Sequence, residues 1–250
     1  MNLREVHVWR ADVGLNSATP GMPELAPLDA RERAQAAKLR RAADRRRYVA
    51  SHAFLRRVLP RYVGVPAGEL RFATGQYGKP ALSYPTTGLA FNLSHSGSVA
   101  LVAVAGGAAV GVDVEQARSD VDIHGLARTV FSEEERRVLR ACDPALQCAL
   151  FYRTWVCKEA LLKACGAGLS VAPDRLTVLK RACSSDPCAS LIGLAGTAWG
   201  VRLLDLGNEG YFAAVAAPGD DWAAVLATTD SPVALRAARL PFGAGFSPAG

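Results

Sequence analysis

The stretch "FYRTWVCKEALLKACGAGL", residues 151–169, constrains the fold more than any other. It has helical spacing and almost no polar face. Asp143 followed by Pro144 marks its start, an N-cap acceptor with proline at the first helical position, and Gly166 marks its stop. A helix so apolar must be buried against other elements. Leu146, Leu150, Cys157, Ala160, Leu161 and Ala164 form its expected core face. Trp155, Glu159 and Lys163 repeat at i+4 and form one stripe, adjoined by Phe151 and Tyr152. A Glu before a Lys at that spacing also fits a plain surface pair, but the flanking aromatics favour a cleft. Lys158 lies about 100° round the helix from Glu159 and is the weaker partner for it.

The remaining pattern supplies that cover. Residues 3–9 alternate like a strand. Asp29 with Glu32 opens a helical pattern through a capping box, running to about Tyr62 with a break near Ala43 and Asp44. Residues 69–82 read as strand, turn, strand. "LAFNLSHSGSVALVAVAGGAAVGVDVE" gives three strands parted by "SHSGS" and "GG". Ser132 and Glu135 form a second capping box. Strands are expected again at about 175–180, 200–206 and 210–216, and the last twenty or so residues read as a loose tail. "VALVAVAGG" at 99–107 echoes "YFAAVAAPG" at 211–219, each closing a block of about a hundred residues, which points to two similar halves.

Half of the 250 residues are apolar, enough for a sizeable core, and no apolar run reaches the ~18 residues of a membrane span. With no signal-peptide pattern at the start, a soluble cytoplasmic protein is expected. The six cysteines at 142, 148, 157, 165, 183 and 188 form no CxxC pair and read as reduced thiols, with a Cys183–Cys188 loop as the alternative. The formal charge of +6 is concentrated between residues 31 and 61, where eleven Lys and Arg face Glu32 and Asp44. A polyanion is the partner such a segment fits, unless it is simply a solvated helix face. A DNA-reading motif is absent from it.

Three motifs carry chemistry. In "GVDVE" the carboxylates of Asp113 and Glu115 sit at i and i+2 of a strand and share a face, where hard oxygen ligands suit Mg²⁺ or Mn²⁺. "FNLSHSG" brings Ser94, His95, Ser96 and backbone N–H groups to one strand end, an anion cradle. Ser94 and His95 are not a hydrolase pair, since strand neighbours point apart and no GxSxG elbow exists. "GQYGKP" lacks the spacing of a P-loop, and Lys79 in that turn reaches a phosphate or an adenine face only if the turn is more than a hairpin.

In order and spacing, "GKP", "FNLSHSG", "GVDVE", "FSEEE" and "WVCKEALLKACGAGL" resemble the motif series of the 4'-phosphopantetheinyl transferases of the surfactin-synthetase-activating (Sfp) type, over residues 28 to 170. The resemblance implies an α+β fold, a pseudo-dimer of two halves with a long helix on a small, mostly antiparallel sheet in each. The active site lies between them. Residues 1–108 form the N-terminal half, 109–227 the C-terminal half and 228–250 a flexible tail. It implies transfer of the 4'-phosphopantetheine arm of coenzyme A to a serine of an apo acyl or peptidyl carrier protein, by a monomer, releasing 3',5'-ADP. Asp113, Glu115 and Glu159 match the magnesium ligands, and Lys163 matches the pyrophosphate lysine. Trp155 matches the supporting aromatic. Ser94 and His95 match phosphate contacts, and Gly78, Lys79 and Pro80 match the turn bordering the adenine. Arg33, Lys38 and Arg47 are the choices for the 3'-phosphate. Glu135 falls on a glutamate credited in some members with assisting catalysis. The competing readings are a basic module binding nucleic acid or carrier protein without catalysis, and a metal-dependent nucleotide phosphohydrolase.

Overall fold

The computed structural model describes residues 4–14, 27–75, 78–166, 171–178, 190–194, 196–207 and 210–228. The elements run β1 (Arg4–Asp12), α1 (Ala30–Lys38), α2 (Ala42–Val58), α3 (Pro60–Val63), β2 (Arg71–Thr74), β3 (Pro80–Tyr84), β4 (Leu89–Ser96) and β5 (Val99–Gly106). They continue as β6 (Gly111–Gln116), α4 (Ile123–Val130), α5 (Glu133–Ala141), α6 (Pro144–Cys165), β7 (Ser190–Leu194), β8 (Thr197–Leu204), β9 (Tyr211–Pro218) and β10 (Trp222–Thr228). The fold is α+β. No helix among the described residues is long and apolar enough to cross a membrane.

Two four-stranded sheets, in the orders β10-β1-β5-β4 and β6-β9-β8-β7, stand beside the β2-β3 hairpin. Among the described residues every pairing between these strands is antiparallel except β1 with β10. Alternation along the strands sets the layers. Val99, Leu101, Ala103 and Ala105 of β5 meet Val112 and Val114 of β6 and Ala213 and Val215 of β9 between the sheets. The opposite residues of β5, Ala100, Val102 and Val104, face Phe54, Leu55 and Val58 of α2. On the outer face of the second sheet Ala214 and Ala216 meet Val156, Ala160 and Ala164 of α6. The far side of α6 is closed by Phe131 and Leu139, packed with Leu150, Phe151 and Tyr152. Each large apolar side chain so buried contributes roughly 1.5–3 kcal/mol.

Both capping boxes form, Asp29 with Glu32 and Ser132 with Glu135. In α6 the Asp143 side chain accepts from Ala145 N, and Gly166 ends the helix at φ 66°. The sequence echo falls on β5 and β9, which occupy corresponding places. In each sheet the strand that precedes the helices (β1, β6) lies beside the strand that closes the block (β5, β9).

Several expectations need correction. The break in the basic helical segment lies at Leu39–Arg41, not at 43–44. Asp44 instead occupies the first turn of α2, where a carboxylate is favoured, and pairs with Arg47 at 3.1 Å. Of the strand expected at about 175–180, the described residues 175–178 are not a strand: Pro173–Arg175 make a 3₁₀ turn, and 179–180 lie outside the described residues. The N–H of Val178 and the carbonyl of Leu176 are satisfied by the side chains of Glu135 and Lys158 in place of a strand partner. Leu146 is 58% exposed, because the first turn of α6 projects beyond the core. The helix α4 and the strands β7 and β10 are additions. Since β10 pairs with β1, the second block in sequence lends a strand to the first sheet. Cys142, Cys148, Cys157 and Cys165 are not in disulfide bonds. Cys183, Cys188, residues 15–26 and the tail beyond 228 lie outside the described residues.

Candidate active site

Gly111 decides how closely α6 meets β6. A Cβ at this position would lie 2.1 Å from the Ala160 carbonyl oxygen and 2.3 Å from Ala164 N, so only glycine admits the helix backbone so near the strand. Asp113 and Glu115, on the strand face turned to the helix, thereby come beside Glu159 and Lys163. Lys163 Nζ lies 2.6 Å from Asp113 Oδ1 and donates to Ser94 Oγ at 3.1 Å, while Ser94 Oγ donates to the same Oδ1 at 2.9 Å. Glu115 accepts from Ser96 Oγ at 2.8 Å, and the nearby Trp155 indole also holds its carboxyl pKa down against burial. Trp155 stacks on Phe151, so the aromatic one turn before Glu159 steadies a site carboxylate as well as the helix.

The cluster sits where the two sheets meet edge to edge. Asn92, Ser94 and Ser96 alternate along one face of β4 and stitch it to β6. Asn92 Oδ1 accepts from Val112 N at 2.9 Å, Ser94 reaches Asp113, and Ser96 also accepts from Gln116 N at 3.1 Å. Asn92 was not singled out as a site residue, and Ser96 was named only as part of the strand-end cradle. The signal was present in the polar i, i+2, i+4 pattern of a strand otherwise built for a core.

Electrostatically the site is a pocket of crowded acids under one cation. Burial raises the Asp113 carboxyl above its ordinary value, against the charge and hydrogen bond of Lys163 and the hydroxyl of Ser94. Burial also raises Glu115 and Glu159, and Asp113 adds to both shifts by like-charge repulsion. Such an arrangement favours binding of a cation or a proton. Asp113 Oδ2 is buried without a hydrogen-bond partner, a costly state for a carboxylate unless something else fills the site. The oxygen-only donor set of Asp113, Glu115 and Glu159 suits Mg²⁺ or Mn²⁺. Among the described residues no three His, Cys, Asp or Glu side chains already close into a ligand cage. Asp113 keeps one oxygen, Oδ2, without a hydrogen bond, and Lys163 holds the other.

His95 leaves β4 on the opposite face from Ser94. Its pKa is lowered by desolvation and then by the positive charges of Arg47, His52 and Lys163. Arg47 Nε donates to the Gly97 carbonyl at 3.0 Å, which places a guanidinium beside the "SHSG" turn. An anion at this strand end therefore meets cations from α2 and α6. Arg33 and Lys38 are exposed on α1, about 140° apart round the helix, and do not project together. Gly78 takes a positive φ of 84° and Pro80 opens β3, both exposed. Lys79, expected at phosphate or adenine, instead sends its ammonium to three backbone carbonyls: Val110 at 2.9 Å, Lys163 at 2.6 Å and Ala164 at 3.1 Å.

Lys158 and Glu135 are both fully buried and paired at 2.5 Å. Glu135 also accepts from Ser132 N and Val178 N, and Lys158 donates to the carbonyls of Pro173 and Leu176. Burial pushes the Lys158 ammonium down, with Glu135 opposing. Together they pin the 173–178 segment and α5 to α6. Both carboxylate oxygens of Glu135 are engaged in these contacts.

Residues 109–216 match the family model of the 4'-phosphopantetheinyl transferase superfamily, and residues 23–107 match that of the 4'-phosphopantetheinyl transferase N-terminal region. The chain is 35% identical over 214 residues to the 4'-phosphopantetheinyl transferase HetI of Nostoc sp., covering 78% of this chain and 90% of that one. It is 36% identical over 144 residues to AcpT of Escherichia coli, covering 58% and 63% of the two chains. With Sfp of Bacillus subtilis it shares 31% over 135 residues, 54% and 58%. Matched along both halves, and by a relative over nearly that relative's whole length, this chain belongs to the 4'-phosphopantetheinyl transferase superfamily.

Proposed function

We propose that the protein transfers the 4'-phosphopantetheine arm of coenzyme A to a serine hydroxyl of an apo acyl or peptidyl carrier protein. The observation that carries this reading is the Ser94–Asp113–Lys163 cluster, with Asp113 Oδ2 buried and unpartnered at the junction of the sheets. Lys163 sets a positive charge where a pyrophosphate would lie, and Ser94 and His95 offer it polar contacts from β4. Arg47 is the cation best placed for the 3'-phosphate, with Arg33 and Lys38 as outer contributors. Gly78 and Pro80 border the adenine.

In the reaction the carrier serine oxygen forms a bond to the β-phosphorus, the bond from that phosphorus to the bridging oxygen breaks, and 3',5'-ADP leaves. The serine proton passes to Glu159. Asp113, Glu115 and Glu159 would hold Mg²⁺ or Mn²⁺, which neutralises pyrophosphate charge and stabilises the leaving group when bound. Phosphoryl transfer relies on positioning and charge, so no covalent enzyme intermediate is required. The two blocks, residues 1–108 and 109–227, act as halves of one monomeric pseudo-dimer in the cytoplasm. The carrier docks on the α4–α5 face, where His124, Arg128, Arg136 and Arg140 line a groove beside exposed Leu126 and Leu146.

The test is mass spectrometry of an apo carrier incubated with coenzyme A and Mg²⁺. The wild type should add the mass of the arm, and Glu159→Gln should lower turnover by about a hundredfold or more. Near-normal turnover of Glu159→Gln at saturating Mg²⁺ would remove Glu159 as both ligand and base. Consumption of coenzyme A without mass gain on any carrier would mark a phosphohydrolase instead.

A further inference from the structure

The ammonium of Lys79 is spent on backbone, and the three carbonyls it binds are not arbitrary. The last four carbonyls of a helix have no partner within it. In α6, ended by Gly166, these belong to Leu162, Lys163, Ala164 and Cys165. Cys165 Sγ donates to the Leu162 carbonyl at 3.3 Å, and Lys79 takes the carbonyls of Lys163 and Ala164. Its third bond goes to the carbonyl of Val110, the residue before β6 begins. A single cation therefore ties the end of the helix that carries Glu159 and Lys163 to the start of the strand that carries Asp113 and Glu115. It does so one residue from Gly111, where helix and strand backbones are nearest. A cation at a helix C-terminus also meets the negative end of the helix dipole.

The turn that presents Lys79 is built to hold it. Gly75 N donates to the Lys79 carbonyl at 2.9 Å, and Gly78 N donates to the Gly75 carbonyl at 3.0 Å. An ammonium has three N–H donors, and all three are used. Lys79 also belongs to the first half, whereas α6 and β6 belong to the second. We propose that Lys79 is a positioning residue, a latch from the β2-β3 hairpin that fixes the end of α6 on β6 and so sets Lys163 and Glu159 against Asp113 and Glu115. This rests on the transferase reading for its consequence in turnover, but not for its structural part. It assigns Lys79 a role other than contact with coenzyme A.

The experiment compares wild type with Lys79→Met, which keeps the aliphatic stem and removes the three donors, and with the milder Lys79→Gln should the first not fold. Two readouts are taken. Hydrogen exchange of the backbone amides in 160–166 and 111–115 should quicken in the variant without coenzyme A or metal present. In steady-state transfer kcat should fall by about tenfold or more, with KM for coenzyme A moving less than about twofold, because a misplaced Lys163 and Glu159 act on the chemical step. Unchanged exchange at the end of α6, or a rise in KM for coenzyme A that exceeds the fall in kcat, would overturn the latch. A wild type that transfers no arm would sink the transferase reading, while the exchange comparison would still decide on the latch.

Discussion

Glu32 serves three partners at once. One oxygen accepts from the N-cap Asp29 N at 2.9 Å and from Arg56 Nε at 2.7 Å, and the other lies 3.0 Å from His52 Nδ1. Arg56, wholly buried, also reaches Asp29 and the carbonyls of Ala67 and Leu70, so the network fastens α1, α2 and the approach to β2. Burial alone would raise the Glu32 pKa, but the His52 hydrogen bond, the Asp29 N–H and the charges of Arg56 and His52 bring it below the ordinary 4.5. A carboxyl depressed in the folded state contributes stability that is complete above its unfolded pKa and fades as pH falls through the folded one. Chemical denaturation of Glu32→Gln should therefore show lower stability than wild type at neutral pH, with the gap closing below about pH 4.5. A constant gap down to the acid limit would show that Glu32 acts through packing alone. The capping role of Glu32 was legible from Asp29 and Glu32 three apart. The Arg56 and His52 contacts were not, because they join residues twenty or more positions apart in sequence.

At the level of elements, the contact between β6 and α6 is what assembles the acids. Sequence spacing put Asp113 with Glu115 on one strand face and Glu159 with Lys163 on one helix stripe, since both periodicities are local. It did not say that strand and helix touch, nor that Gly111 is the reason they do. Gly111→Ala would thrust a methyl into two backbone atoms of α6 that have no rotamer to yield with. The variant should lose about 3 kcal/mol or more in denaturant titration and lose transfer at temperatures where it still folds. Retention of wild-type stability would mean that α6 can slide on β6, which would also weaken the case for the Lys79 latch. The helix itself answers the charge question its sequence posed in two ways. Lys163 and Glu159 look into the cleft, whereas Lys158 is buried and matched by Glu135, a pair that helical geometry alone gave no reason to expect.

The whole molecule is two sheets and two long helices whose junction is the site, with the cationic surface split between the two blocks. Arg-rich α1 and α2 lie on one side, and the Arg128, Arg136 and Arg140 groove lies on the other. If the second face receives an acidic carrier, KM for the carrier should rise steeply from about 50 to 500 mM salt, and Arg128→Glu with Arg140→Glu should flatten that dependence. Salt-independent KM would place the carrier elsewhere. Periodicity and capping signals by themselves determined the caps of α1, α5 and α6, most of the strands and the face on which each acid stands, because these follow from backbone geometry within a few residues, while the α+β class came with the motif resemblance. They missed α4, β7 and β10, the last paired with a strand from the other end of the chain, and read a strand at 175–180, where the backbone of Leu176 and Val178 is satisfied by distant side chains. Only the tertiary structure decided that Lys158 is buried against Glu135 and that Lys79 meets the carbonyls at the end of α6. That choice depends on what packs against each ammonium, and those neighbours are brought together by folding.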